Sequence, residues 1–136
     1  MEPEIRYFLF AKSIQVDAAA SALSVRGLYD AFYVQEGQWQ VQADVLVGVS
    51  GLSPGTYAYS MSIHQGDMAV GAFLFPNQMI QSPFEIVNLY LHPAHFSIAG
   101  TKPARFDLHA ILLDETQEER IVGSVVIPVR PKEGFS

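Results

Sequence analysis

Cysteine is absent from the 136 residues. That excludes disulfide frameworks, thiolate-held zinc and cysteine nucleophiles. Charge is scarce as well. Charged residues make up 16% of the chain, and 8 basic residues face 14 acidic ones, for a net charge of −6. So small a basic complement speaks against a non-specific phosphate-binding or anionic-membrane surface. Neither nucleic acid nor a membrane is an expected partner. Long apolar runs are also missing. Tyr7–Ala11 is too short for a signal core or a membrane span, and Met1-Glu2-Pro3-Glu4 is acidic where a secretory signal would be basic. A cytoplasmic location is the expectation. Apolar residues, in contrast, reach 49%, which a disordered chain does not have.

Those apolar residues recur with period two. Val41, Ala43, Val45, Val47 and Val49 alternate with Gln40, Gln42 and Asp44. Successive side chains of a strand point to opposite faces, so this segment reads as a half-buried strand. Tyr57, Tyr59, Met61 and Ile63 repeat the pattern, as do Phe106, Leu108, Ala110 and Leu112. Further extended runs are 5–12, 23–34, 68–75, 84–92 and 120–129. Turn clusters at Glu36-Gly37, Ser53-Pro54-Gly55, Gln65-Gly66-Asp67 and Thr101-Lys102-Pro103 separate them. Asp17–Ala22 reads as a loop or a single helical turn capped by Asp17. Without long crossover segments the strands cannot make a parallel sheet. The expectation is one all-β domain over residues 1–136: an antiparallel two-sheet sandwich of seven to nine strands, immunoglobulin-like or a related Greek key, with a closed barrel second.

Two stretches carry resemblances. Leu52-Ser-Pro-Gly-Thr-Tyr57-Ala-Tyr-Ser-Met61 resembles the corner of immunoglobulin-like and fibronectin-type-III sandwiches. There a tyrosine hydroxyl bonds back to nearby backbone, and the resemblance implies that role for Tyr57. Ala11-Lys-Ser-Ile-Gln-Val-Asp17 followed by Leu23-Ser-Val-Arg-Gly27-Leu-Tyr-Asp30 is similar to the opening of a family of small bacterial β-sandwich domains of unknown function. That similarity implies a fold and no activity.

Candidate chemistry is thin. His92-Pro-Ala-His95 has a metal-ligand spacing, but Pro93 makes it a turn and no third ligand stands beside it. It reads as loop decoration, and a metal-dependent enzyme is the last of the readings. Gly48-Val-Ser50-Gly51 falls short of a nucleophile elbow. His64 and His109 occupy outward strand positions. Asp114–Glu119 forms an acidic hairpin tip. Trp39, Tyr33 and Tyr90 are candidates for stacking a sugar or another small ligand, with Tyr29 beside them. No cofactor and no enzymatic activity are expected.

The anomaly lies in strands that are apolar on both faces. In 84–92, Phe84, Ile86 and Tyr90 oppose Val87, Leu89 and Leu91; in 120–129, Ile121, Val125, Ile127 and Val129 oppose Val122 and Val126. In 68–75, Met68, Val70 and Leu74 oppose Phe73 and Phe75. A solvated sheet face should be polar, and a wide apolar one marks an interface. The sequence therefore points to a non-catalytic interaction or assembly module, a homo-oligomer or the binder of a protein partner. Its surface would comprise Phe73, Phe75, Met79, Ile80, Val87, Leu89, Leu91, Val122 and Val126.

Overall fold

Along Gly55–Gln65 every second residue from Tyr57 onward is buried, so the alternation in sequence becomes alternation in space. The computed structural model describes residues 3–17, 22–34, 38–113 and 119–131. Their strands are β1 (Glu4–Asp17), β2 (Ala22–Leu28), β3 (Phe32–Val34), β4 (Gln38–Ser50), β5 (Gly55–Gln65), β6 (Met68–Ile80), β7 (Val87–Ala99), β8 (Ala104–Leu112), β9 (Glu119–Ile127) and β10 (Val129–Pro131). No helix occurs among the described residues. None is therefore long and apolar enough to cross a membrane.

Two four-stranded antiparallel sheets pack face to face. The first has the order β2-β1-β4-β7 and the second β6-β5-β8-β9. The pairings β1–β4, β4–β7 and β5–β8 each enclose two intervening strands, the nesting of a Greek key. The chain is thus an all-β sandwich. A short parallel pair, β3 with β10, carries Phe32 into the layer between the sheets. There Phe32 meets Phe10, Phe96 and Phe106 at ring-centroid separations of 6.2, 5.6 and 6.1 Å. Each such ring removed from water contributes about 1.5–3 kcal/mol, and edge-on contacts add to it.

The chain crosses from β4 to β5 through Gly51–Pro54. The buried Tyr57 donates its hydroxyl to the Ser53 carbonyl at 2.8 Å, and Leu52 is buried beside the corner. This bond fixes where the second sheet starts.

Three local readings change. Asp17 and Ala22 are paired strand residues closing the β1–β2 hairpin, so neither caps nor ends a helical turn; residues 18–21 lie outside the described ones. The run expected to end at Phe75 continues through Pro76 to Ile80 as β6. The turn read at His92–His95 lies inside β7, with a cis bond between His92 and Pro93. Both strands are sheet edges, where a proline has no outward hydrogen bond to lose and is accommodated by a bulge. The register shifts fall at these places, opposite Ala58 in β6 and opposite Asp44 in β7.

Candidate functional site

The outer face of the first sheet is covered by its own side chains. Gly48 leaves the central strand bare, and the Tyr7 ring lies flat over it from β1 to bond Asn88 on β7. From the other side Tyr90 reaches across β4 and donates to the Ile14 carbonyl at 2.6 Å. Beneath these rings Ala11, Ile14 and Leu46 form a small buried cluster. Asp44, only 2% exposed, sits where β1 peels away from β4 and β7 bulges. Its carboxylate accepts the Ile14 N–H at 2.8 Å, the His92 Nδ1–H at 2.6 Å and, more distantly, the Tyr90 hydroxyl at 3.4 Å. A side chain thus replaces the strand partner that Ile14 loses. Burial, then the charge and hydrogen bond of Asp44, push the Tyr90 phenol above its ordinary value.

The outer face of the second sheet carries a polar chain down its two central strands. Directly opposed residues share a face, and Ser62 stands opposite Asp107 while Ser60 stands opposite His109. Ser62 Oγ lies 2.8 Å from His109 Nε2 and 2.9 Å from His64 Nε2. His109 Nδ1 meets Glu119 Oε1 at 2.8 Å, and His64 Nε2 lies 3.5 Å from Asp107 Oδ2. Asp107 also accepts the Ser124 hydroxyl at 2.5 Å and Arg105 Nε at 3.2 Å. Both imidazoles are mostly covered, at 24% and 17% side-chain exposure for His64 and His109. Serine, imidazole and carboxylate in this order are the parts of a proton relay.

The residues named from sequence scatter. Phe75, Ile80, Val87 and Leu89 belong to the core, at 4, 2, 5 and 0% exposure. Alternation separates two faces of a strand but does not say which is inside, and the bulges in β6 and β7 shift it midway. Phe73, Leu91 and Val122 are half-buried against the same core. Met79 and Val126 are exposed, but they lie on β6 and β9, opposite edges of one sheet. No continuous apolar face joins them, because Ser60, Ser62, His64, Asp107 and His109 lie between. The expectation of a wide apolar outer face is corrected to apolar margins, where Met68, Leu74 and Ile121 are exposed as well, on either side of a polar centre.

Tyr33 is exposed, whereas Tyr90 is half-buried with its hydroxyl engaged, and Tyr29 packs on Phe32. Trp39 pairs through its backbone with Ile98 on β7, and its side chain lies outside the described residues, as does 114–118 of the acidic tip. His92 is held by Asp44, and His95 is exposed opposite Gln42. Among the described residues no group of three metal-ligating side chains forms.

Sequence reasoning gave Asp44, Ser62, Asp107 and Glu119 no site role. The outward parity of His64 and His109 was the available signal, but parity does not reveal which strands are neighbours.

The four sheet edges differ. β6 has two register shifts and Pro76, β7 has one with Pro93, and the pairing of β8 with β9 has one at Gly123–Ile121. β2 has neither a shift nor a proline. All seven of its residues are exposed. Ile14 and Val25 share one face of the ribbon with Leu23, while Ser24 and Arg26 share the other with Ser13 and Gln15. Ile14 is buried, yet Leu23 and Val25 stand 43% and 39% exposed.

In comparison with known proteins, the chain matches no family model and no curated protein.

Proposed function

We propose that the protein is a non-catalytic assembly module that docks through the edge of β2, and that its partner is a second copy of itself. One observation carries this reading: β2 is the one edge among the four described that has neither bulge nor internal proline, and it adjoins an exposed apolar stripe. Soluble β proteins normally blunt such an edge with charge, proline or distortion. β2 carries a single charged residue, Arg26, toward its end. Two identical edges can pair antiparallel about a two-fold axis, which brings the same stripe of Leu23 and Val25 together from both copies. The reading keeps the sequence-based role and moves it to another surface. Met79 and Val126 play no part in it.

The test is the mass of the protein in solution. Wild type is expected to sediment as a dimer at micromolar concentration, with a melting temperature that rises with concentration. Leu23→Lys combined with Val25→Lys is expected to give a folded monomer, since both positions are solvent-facing. A wild-type monomer at high micromolar concentration, or a dimer untouched by the double substitution, would remove the proposal.

A further inference from the structure

We infer that Ser62 is an acyl-acceptor site: the His109–Glu119 pair activates its hydroxyl toward thioester or aryl-ester donors. The site lies on the outer face of the second sheet, away from β2, so it stands or falls independently of the assembly reading.

Hydrogen-bond polarity gives the argument its direction. An ionised Glu119 only accepts, so the proton between it and His109 belongs to Nδ1. With that ring neutral, Nε2 is the acceptor for Ser62, 2.8 Å away, and the serine hydroxyl donates to it. Ser62 has a single proton, so toward His64 it must accept, and His64 Nε2–H points at the same oxygen from 2.9 Å. Glu119, His109, Ser62 and His64 thus form one directional chain. A base stands on one side of the nucleophile and a donor on the other. Asp107 Oδ2 lies 3.5 Å from that nitrogen, and Arg105 and Ser124 donate to the same carboxylate. Strands β5, β8 and β9 hold all these positions, and strands place side chains more precisely than loops do. On the β6 side the neighbours of Ser62 and Ser60 are the exposed Ala72 and Leu74, which leave approach open and offer an apolar rest for an acyl chain.

The step balances simply. Ser62 Oγ forms a bond to the donor's carbonyl carbon, and its proton passes to His109 Nε2. The tetrahedral adduct collapses by breaking the bond to sulfur or to the phenolic oxygen, and the leaving group takes the proton from His109. The products are an ester on Ser62 and a free thiol or phenol. The main-chain N–H groups of β5 lie within ladders to β6 and β8, so no paired backbone donors form an oxyanion hole. Only donors with good leaving groups react, and the ester on Ser62 is retained rather than turned over.

The experiment uses p-nitrophenyl acetate as the acyl donor, with the modified residue mapped by mass spectrometry. Native protein is expected to acquire one acetyl group on Ser62, faster than the same protein unfolded in urea. A positioned general base contributes about 10²–10⁴-fold. His109→Gln should therefore slow acetylation of Ser62 by about a hundredfold or more, and Glu119→Gln by a smaller factor, with melting curves confirming that both fold. Acetylation confined to lysine amines, or a Ser62 rate equal in native and unfolded protein, would overturn the inference even if no variant folds.

Discussion

Gly48 shows how one missing side chain organises a surface. A Cβ built there would lie 2.4 Å from the Tyr7 ring, inside any real contact distance. Glycine weakens a strand, but here the aromatic ring takes the place of the absent side chain. Gly48→Ala is expected to lower stability by about 1–3 kcal/mol, the usual cost of overpacking. The same substitution at Gly123 meets Ile5 Cδ1 at 2.6 Å, the tip of a flexible chain that can turn aside, so its cost should be smaller. Urea unfolding of the two variants side by side measures the difference. At Tyr57 the sequence was more informative, because the Pro-Gly turn and the hydroxyl's partner at Ser53 lie within a few residues of each other. Asp44 was not legible in that way. Its partners come from β1 and β7, 30 and 48 residues away in the chain.

Strands were readable and their neighbours were not. The valine alternation of β4 and the tyrosine alternation of β5 are local properties, and both segments were expected as strands. β6 and β7 were cut short at Pro76 and Pro93 because a proline argues against a central strand, whereas these strands are edges. Edge status is a fact about the sheet, invisible along the chain. The Ser62 chain was hidden for the same reason: its members come from β5, β8 and β9, and only the register brings them together. The junction of β1, β4 and β7 offers a test at this scale. Asp44→Asn keeps the shape but removes the charge that binds His92, and it leaves one accepting oxygen where the carboxylate has two, with an NH2 donor in place of the other. A loss of about 1–3 kcal/mol is expected. Amide hydrogens of β1 beyond Ala11 should exchange faster than those of β4, because the ribbon there is tied to the rest of the sheet at Ile14 by the Asp44 and Tyr90 side chains instead of by a ladder.

Over the whole molecule the covered phenols are expected to weaken the fold at alkaline pH. Burial raises Tyr29, Tyr59 and Tyr90 above their ordinary value, and for Tyr59 the nearby Tyr57 and Glu85 add to it. Unfolded tyrosines ionise near pH 10. Above that point the unfolded chain has released protons that the native state still holds, so stability falls as pH rises. The contribution is complete below about pH 10 and disappears on the climb toward the native values. The Tyr59 hydroxyl is buried and has no hydrogen-bond partner among the described residues. Tyr59→Phe is therefore expected to leave stability at neutral pH unchanged or raise it by up to about 1 kcal/mol. It should also flatten the loss above about pH 10, which urea titrations at both conditions would reveal. Three edges of the sandwich carry register shifts; β2 carries none, and its one departure from extended backbone is Gly27, at a φ of 66° near its end. If two copies join along that rim as proposed, neither keeps a second unshifted rim, so the expected association is self-limiting: its stoichiometry would stop at two, and crowding the solution would yield more pairs instead of a growing fibre.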